Sequence, residues 1–264
     1  MEHARAFAEL DEVVWDPISM ATVLRSSPQF GELVLDACCG NGASAVPTAE
    51  LVGPSGAVDA IDLSESMIEL ARERAERESA PLPQLRLHAA DVLEWEPTGY
   101  DLVQCVLGVF FFLDPEAGAR RLVERLKPGG RFAVTLWAPS AFEEFTKALC
   151  DAVEAEGGEA GSEAVAAYRD RAVPSVPESP GALAQWLGGL GLEQTRGELV
   201  PRHVDLDDDL SWRLVMGMSR SRLVADLNDE TRERVATRFR ELLAERGITR
   251  ADLSTIIGVG HLPA

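Results

Sequence analysis

Basic residues are few in this chain: 25 Lys and Arg stand against 44 Asp and Glu, a formal net charge of −19. Such a surface repels a phosphate backbone, so nucleic acid is excluded as a partner in the absence of a local basic patch. The acids gather at Glu143 to Glu163 and Asp205 to Asp209, a pattern of solvated helix faces and a loop. Cysteine is scarce too. Four are present, two of them adjacent at Cys38 and Cys39, which makes no disulfide framework. No CxxC pair or histidine cluster has metal-ligand spacing, and no metal is expected. The apolar run Val106 to Leu113 is far too short to span a membrane. The first residues, Met-Glu-His-Ala-Arg, lack the basic-then-apolar order of a signal peptide. A cytoplasmic chain without a membrane partner is the expectation. At 264 residues and 46% hydrophobic content it is long enough for one large domain with insertions.

What is present is concentrated at Leu33 to Ala43. An apolar strand that starts at Leu33 ends in the carboxylate Asp36 and turns through Gly40 and Gly42. A helix of small residues then starts at Ala43, Ser44 and Ala45. Glycines at such a turn let a ligand approach the backbone, and the new helix offers unpaired N–H groups to it. Loosely, Gly40-x-Gly42-x-x-Ala45 fits a dinucleotide fingerprint, with Asp62 about 20 residues on as the ribose-binding acid. A pyrophosphate on this turn would meet the charge of Asp36. S-adenosylmethionine carries an ammonium and a sulfonium beside the same adenosine, so the carboxylate favours a methyl donor over NAD.

At this point the chain resembles the class I S-adenosylmethionine-dependent methyltransferases, whose first motif runs acid-x-Gly-x-Gly-x-Gly. Cys38 stands at the first glycine. Alternating strands and helices follow: strands at Ala57–Asp62, Gln84–Ala90, Tyr100–Leu107 and Arg131–Trp137, a helix capped by Ser64, and helices over Ala141–Arg171 with breaks at Gly157, Gly158 and Gly161. Beyond these come a helix at Ala182–Leu190, a strand over Glu198–Val204, helices over Asp209–Glu245 and a last strand at Ser254–Gly260. This is an α/β pattern with a parallel sheet. The resemblance implies a Rossmann-like seven-stranded methyltransferase sheet, its last strand antiparallel between the fifth and sixth. Within the family it looks most like small-molecule enzymes related to those of quinone biosynthesis. A single domain over 1–264 is expected, with a cofactor core at 30–139 and helical cap elements at 1–29, 140–178 and 208–250.

Ligands of such sheets lie at the carboxyl ends of the strands. Asp36 would hold the methionine end, directly or through water, and Asp62 would accept both ribose hydroxyls. Leu63 and Met67 would pack on the adenine, although Met67 taken alone reads as helix core. Asp91 and the Val92 N–H resemble the pair that reads the adenine edge. Many relatives carry His-His after strand four; here Phe110 and Phe111 stand there. They imply an apolar, aromatic-lined acceptor pocket, or else core. Methyl transfer gains most from positioning, and a hydroxyl acceptor usually needs a base. His203, near the end of the sixth strand, is the histidine candidate for that base. Trp15 would close over the methionine end or the acceptor, and Met216, Met218, Ser219 and Arg220 read as cap contacts or as core. The implied activity is methyl transfer to a small apolar or aromatic metabolite, natural-product or quinone-like. An auxiliary cofactor-binding protein or a non-methylating cyclase or eliminase on the same fold, and an NAD(P)-dependent oxidoreductase, are the alternatives. Homo-oligomerisation stays open.

Overall fold

Short apolar runs of β-branched residues separated by amphipathic helices fold here as βαβ units. The computed structural model describes residues 2–170 and 175–264; Arg171, the end expected for one helix, lies outside them. Strands β1 (Leu33–Ala37), β2 (Ala57–Asp62), β3 (Leu85–Ala89), β4 (Tyr100–Val106), β5 (Leu126–Trp137), β6 (Glu193–Val200) and β9 (Thr255–His261) form one seven-stranded sheet, ordered β3-β2-β1-β4-β5-β9-β6. The first five run parallel, and β9 is antiparallel between β5 and β6. Strands β7 (His203–Asp205) and β8 (Arg250–Asp252) pair separately. The helices are α1 (Glu2–Ala8), α2 (Asp16–Ser26), α3 (Ala45–Val52), α4 (Glu65–Glu76), α5 (Pro115–Val123), α6 (Glu143–Glu156), α7 (Gly158–Asp170), α8 (Pro180–Gly189), α9 (Asp208–Met216) and α10 (Asp229–Glu245).

The chain divides into two compact units. The larger holds Asp11–Ala138, Pro174–Val200 and Thr255–Ala264; the smaller holds Met1–Leu10, Pro139–Val173 and Pro201–Ser254. The segment expected as an N-terminal cap element, 1–29, is thus shared between them. In the larger unit β1 lies between β2 and β4. Strand order reverses there, which places the ligand crevice of an open sheet at the carboxyl ends of β1 and β4. Strands β1 and β2 are buried on both faces (Val34, Leu35, Val58, Ala60 and Ile61 are fully enclosed), as a parallel sheet covered by helices requires. Among the described residues no helix is long and apolar enough to cross a membrane, and no group of three or more His, Cys, Asp or Glu is placed to hold a metal ion.

In the smaller unit the rings of Phe142, Phe145 and Phe239 meet edge to face, with centroids 5.7 and 5.0 Å apart. Two expected boundaries shift. The strand expected over Glu198–Val204 is two strands, β6 and β7, in different sheets. Gly161 lies inside α7 rather than ending it; a Cβ there would come 2.6 Å from the Val153 carbonyl, so this glycine serves close helix packing.

One buried polar contact braces β2 against β4. The Tyr100 hydroxyl donates to Asp59 Oδ2 (2.8 Å) and accepts from Trp95 Nε1 (2.8 Å), and Tyr100 is fully buried. Burial foremost, with the Asp59 carboxylate adding to it, pushes the phenol well above its usual range, so it remains a donor. Tyr100→Phe leaves both neighbours without their partner. An expected loss of about 1–3 kcal/mol is checked by urea denaturation; unchanged stability would show that water replaces the hydroxyl.

Candidate functional site

Asp36 does not sit on the ligand surface as a strand-end carboxylate would. It is fully buried inside β1 and faces Gln104, its register partner on β4. Oδ2 accepts from Ser44 Oγ (2.7 Å) and Gln104 Nε2 (3.1 Å). The Gln104 amide also donates to Thr48 Oγ1 (3.1 Å) and accepts from Ser26 Oγ (3.4 Å). Because its hydroxyl turns to Asp36, Ser44 makes no side-chain cap, and α3 starts at Ala45 rather than Ala43. Oδ1 is buried and has no partner among the described residues. Burial pushes the carboxyl up to about 7, against the lowering effect of Ser44 and Gln104; the charge of Asp62 adds to the rise.

The turn above Asp36 is strained where the motif departs from glycine. Cys38 has φ 56°, a left-handed conformation, as do Gly40 (φ 54°) and Gly42 (φ 83°). That conformation costs a residue with a Cβ roughly 1–2 kcal/mol, which is why a glycine is usual there. The Cys38 side chain occupies space left open by Gly108: a Cβ at Gly108 would lie 2.6 Å from Cys38 Cβ and 2.8 Å from Cys105 Sγ.

Asp62 ends β2 with each oxygen taken by a backbone N–H, Oδ2 by Gly40 and Oδ1 by Ser64, both at 2.9 Å. It pins the glycine turn. A carboxylate has about four acceptor positions, so two remain for hydroxyl donors. Ser64 is the residue before α4 but makes no side-chain cap; its hydroxyl pairs with Ser66. Next to Asp62, Leu63 is 78% exposed and Met67 is half-buried, so the inner face of α4 rests on Ile68 and Ala71 rather than on Met67. Asp91 is exposed and caps the single turn Val92–Glu94 by accepting from the Leu93 N–H (2.9 Å). Val92, the first residue of that turn, has no acceptor for its N–H within the turn.

After β4 the three phenylalanines separate. Phe112 is buried over Gly118, Phe110 is half-buried, and Phe111 is 68% exposed with its ring 4.8 Å from that of Phe110. Phe112 is therefore core, and Phe111 is the outward aromatic. Trp15 is half-buried at the end of a π-helical turn, Asp11–Trp15. That turn is tied to the glycine loop by a clamp absent from the sequence reading. Asn41 Nδ2 donates to Asp11 Oδ1, Arg74 on α4 pairs with Asp11 and Asp16 (2.6 Å each), and Arg74 Nε donates to the Asn41 carbonyl (3.1 Å). His203 is not on the sixth strand of the sheet. It lies on β7 in the smaller unit, 43% exposed, with Nε2 3.9 Å from Asp252 Oδ1.

The residues fit the implied methyl donor. A buried carboxyl oxygen for which the described residues supply no partner, a turn open to close backbone approach, and acids at the ends of β1 and β2 and just past β3 complement a ligand with cationic centres and an adenosine. Two outcomes check this arrangement. Between pH 3.8 and about 7 the folded chain keeps on Asp36 a proton that the unfolded chain has lost. The contribution of this group to stability therefore falls as pH rises through that window and is constant above it. The parent is expected to lose on the order of 4 kcal/mol more than Asp36→Asn between those limits, measured by denaturation across pH; parallel profiles would mean that Asp36 titrates normally. Gly108→Ala is expected to cost about 1–3 kcal/mol through overpacking, part of it recovered in a Cys38→Gly background, where the contact with Cys105 Sγ remains. Equal losses in both backgrounds would remove the proposed side-chain exchange.

Residues 34–130 match the family described as a methyltransferase domain. Aklanonic acid methyltransferase DauC of Streptomyces sp. is 36% identical over 119 residues, covering 45% of this chain and 54% of that protein. Demethylmenaquinone methyltransferase of Lactococcus lactis is 33% identical, covering 42% and 44%. The match thus spans about half the length of these relatives. Nocamycin O-methyltransferase of Saccharothrix syringae is 30% identical over 208 residues, covering 75% of this chain and 69% of that protein. The structure of YcgJ from Bacillus subtilis shares the fold, with a TM-score of 0.59 at 16% identity and coverage of 94% and 99%. An acid-tipped first strand, a glycine turn and a seven-stranded sheet with an antiparallel insertion, carried by a chain so aligned along three-quarters of its length, make it a member of the class I S-adenosylmethionine-dependent methyltransferases.

Proposed function

We propose that the chain transfers a methyl group from S-adenosylmethionine to a small apolar or aromatic metabolite of the natural-product or quinone-like kind. The observation that carries this reading is the set Asp36, Asp62 and Asp91 on β1, β2 and the turn after β3, beside the point where strand order reverses. The relatives that methylate aklanonic acid, demethylmenaquinone and nocamycin-type compounds support the acceptor class.

When bound, S-adenosylmethionine supplies a methyl group already activated on a sulfonium. Asp62 accepts the ribose hydroxyls with the lone pairs that Gly40 and Ser64 leave. Leu63 and Met67 cover the adenine face, and Asp91 with the Val92 N–H reads its edge. Gly40 and Gly42 let the backbone approach the methionine end, and Asp36 offers its charge from beneath, through the one oxygen that has no partner. Because carboxylates hold a cation better than a neutral body of the same shape, the site favours the charged donor over its demethylated form. Phe110 and Phe111 wall the acceptor side, and Trp15 borders the methionine end on the segment that Asn41 and Arg74 hold. In this reading positioning and exclusion of water supply the rate.

Titration calorimetry with S-adenosylhomocysteine and with NADH tests the cofactor. Asp62→Ala should lose two charge-assisted hydrogen bonds, on the order of 1.5–3 kcal/mol each. Asp91→Ala should lose less, since the Val92 N–H remains. Tight NADH binding without S-adenosylhomocysteine binding, or full affinity in Asp62→Ala, would overturn the assignment. Labelled methyl transferred from S-adenosylmethionine to a small molecule of a cell extract is expected; none transferred by a chain that binds the cofactor would leave an auxiliary role.

A further inference from the structure

All four thiols of the chain are free, and three of them are buried. The fourth, Cys38, is half-buried and stands on the glycine turn, one residue past the end of β1. Its neighbour across the sheet is Cys105 on β4, whose register partner is Ala37. Both sulfurs lie near one point, the place where a Cβ at Gly108 would stand: Cys105 Sγ at 2.8 Å and Cys38 Sγ at 3.0 Å. The two sulfurs are therefore no further apart than those distances laid end to end, and residue 108 puts no side chain between them. Neighbouring strands lie about 4.8 Å apart, a backbone separation that a disulfide spans.

Cys39 is placed differently, although it is next in sequence. It packs with Val34, Ala45 and Val58, whereas Cys38 packs against the cluster that holds Cys105, Leu35 and Val103. Residues 34 and 35 point to opposite faces of the sheet, so the two adjacent thiols belong to different sides of it. Cys150 lies in the smaller unit. Burial pushes the thiols of Cys39 and Cys150 up, and the Cys38 thiol, with burial adding to it, does the same to Cys105. A thiol reacts as its thiolate and according to its access. Cys38 is thus the point of attack, and Cys105 is the group behind it.

We propose that Cys38 and Cys105 are a redox pair, closed to a disulfide by a hydroperoxide, and that closure weakens cofactor binding. The second half rests on the glycine turn being the cofactor site; the first does not. The Cys38 thiolate attacks one oxygen of hydrogen peroxide, the O–O bond breaks, and the departing hydroxide takes up the thiol proton as water. A sulfenic acid formed in this way condenses with a neighbouring thiol. The Cys105 sulfur attacks that of Cys38, the S–O bond breaks, and the second oxygen leaves as water with the Cys105 proton. Two thiols lose two electrons, and one peroxide is reduced to two waters. Cys105 is fully buried within β4, so the sulfur that travels is that of Cys38, and the turn moves with it. Such a shift displaces Gly40 and Gly42, the backbone that a ligand approaches at the carboxyl end of β1.

The full chain, treated with hydrogen peroxide in its native state, tests this by intact mass and peptide mapping. The expected product lacks two hydrogens, carries one cross-link joining Cys38 to Cys105, and returns to the parent mass with dithiothreitol. Cys38→Gly and Cys105→Ala should each lose the cross-link, and Cys105→Ala should keep on Cys38 a sulfenic acid that dimedone traps. The oxidised parent is expected to bind S-adenosylhomocysteine at least tenfold more weakly by calorimetry, with affinity restored by dithiothreitol. Peroxide should leave the affinity of Cys38→Gly where it stood before treatment, which separates the cross-link from methionine oxidation. No loss of hydrogens, or a cross-link from Cys38 to Cys39, would overturn the pair. Unchanged affinity of the cross-linked chain, or an equal fall in Cys38→Gly, would overturn its effect on the cofactor. A reduced chain that binds no S-adenosylhomocysteine would overturn the cofactor site and that effect together, while the cross-link is read from mass alone.

Discussion

A carboxylate without a counter-ion in the middle of a parallel sheet is the constraint that the larger unit is built around. Taking Asp36 out of water is costly, and the chain meets this with hydrogen bonds instead of a cation: Ser44 and Gln104 donate, and Gln104 is itself held by Thr48 and Ser26. The network fixes β1 against β4 at the register pair Asp36 and Gln104. It also takes the hydroxyl of Ser44 away from the helix it precedes. The shape of the glycine turn follows, because strand end, turn and helix start are all attached to one carboxylate. Buried hydrogen-bond networks rigidify what they join, and among the described residues this one leaves one oxygen of Asp36 without a partner.

Around that centre the remaining acids divide by role. Asp11 and Asp16 are matched by Arg74 and serve to hold the N-terminal segment against Asn41. Among the described residues, Asp62 and Asp91 have only backbone N–H donors, from Gly40, Ser64 and Leu93. They shape the local backbone and still keep lone pairs and negative charge at the edge of the sheet. Burial raises the carboxyl of Asp11, an effect that its bond from Asn41 and the charge of Arg74 oppose. The clamp thus rests on an arginine shared by two acids, which is what a long planar donor does better than a lysine.

The parallel strands were legible because each is a short apolar run bounded by turn residues; β2 falls on the expected residues, and β1 and β4 lie within one residue of them. The antiparallel place of the last strand came from family resemblance, since nothing in the run Thr255–His261 sets its partners. Asp62 and Asp91 were legible as strand-end acids, but the backbone bonds that occupy them were not. Gln104 and Arg74 were missed for a plain reason. Gln104 is one polar residue in an apolar strand, and Arg74 is one of several charged residues on α4. Each acts through a partner more than 30 residues away that no local pattern marks. Ser44 and Ser64 were read as part of, or cap to, the helices they precede, because local propensity says so. In both, a nearer polar partner takes the hydroxyl, so tertiary contacts override local preference. The strand expected over Glu198–Val204 failed at Pro201, which donates no backbone hydrogen bond and stands between β6 and β7.

Cys38 shows why a motif cannot be judged one position at a time. A side chain at a left-handed turn position is unfavourable taken alone, and the Cβ of Cys38 needs room that a regular strand-to-helix turn does not offer. That room exists because residue 108, on the loop after β4, has no Cβ of its own. The glycine absent from the first loop has its counterpart in the second. The backbone of the turn, which is what approaches a ligand, keeps its left-handed course through Cys38, Gly40 and Gly42. The course of the turn thus depends on the space between two loops and not on the residue at one position alone.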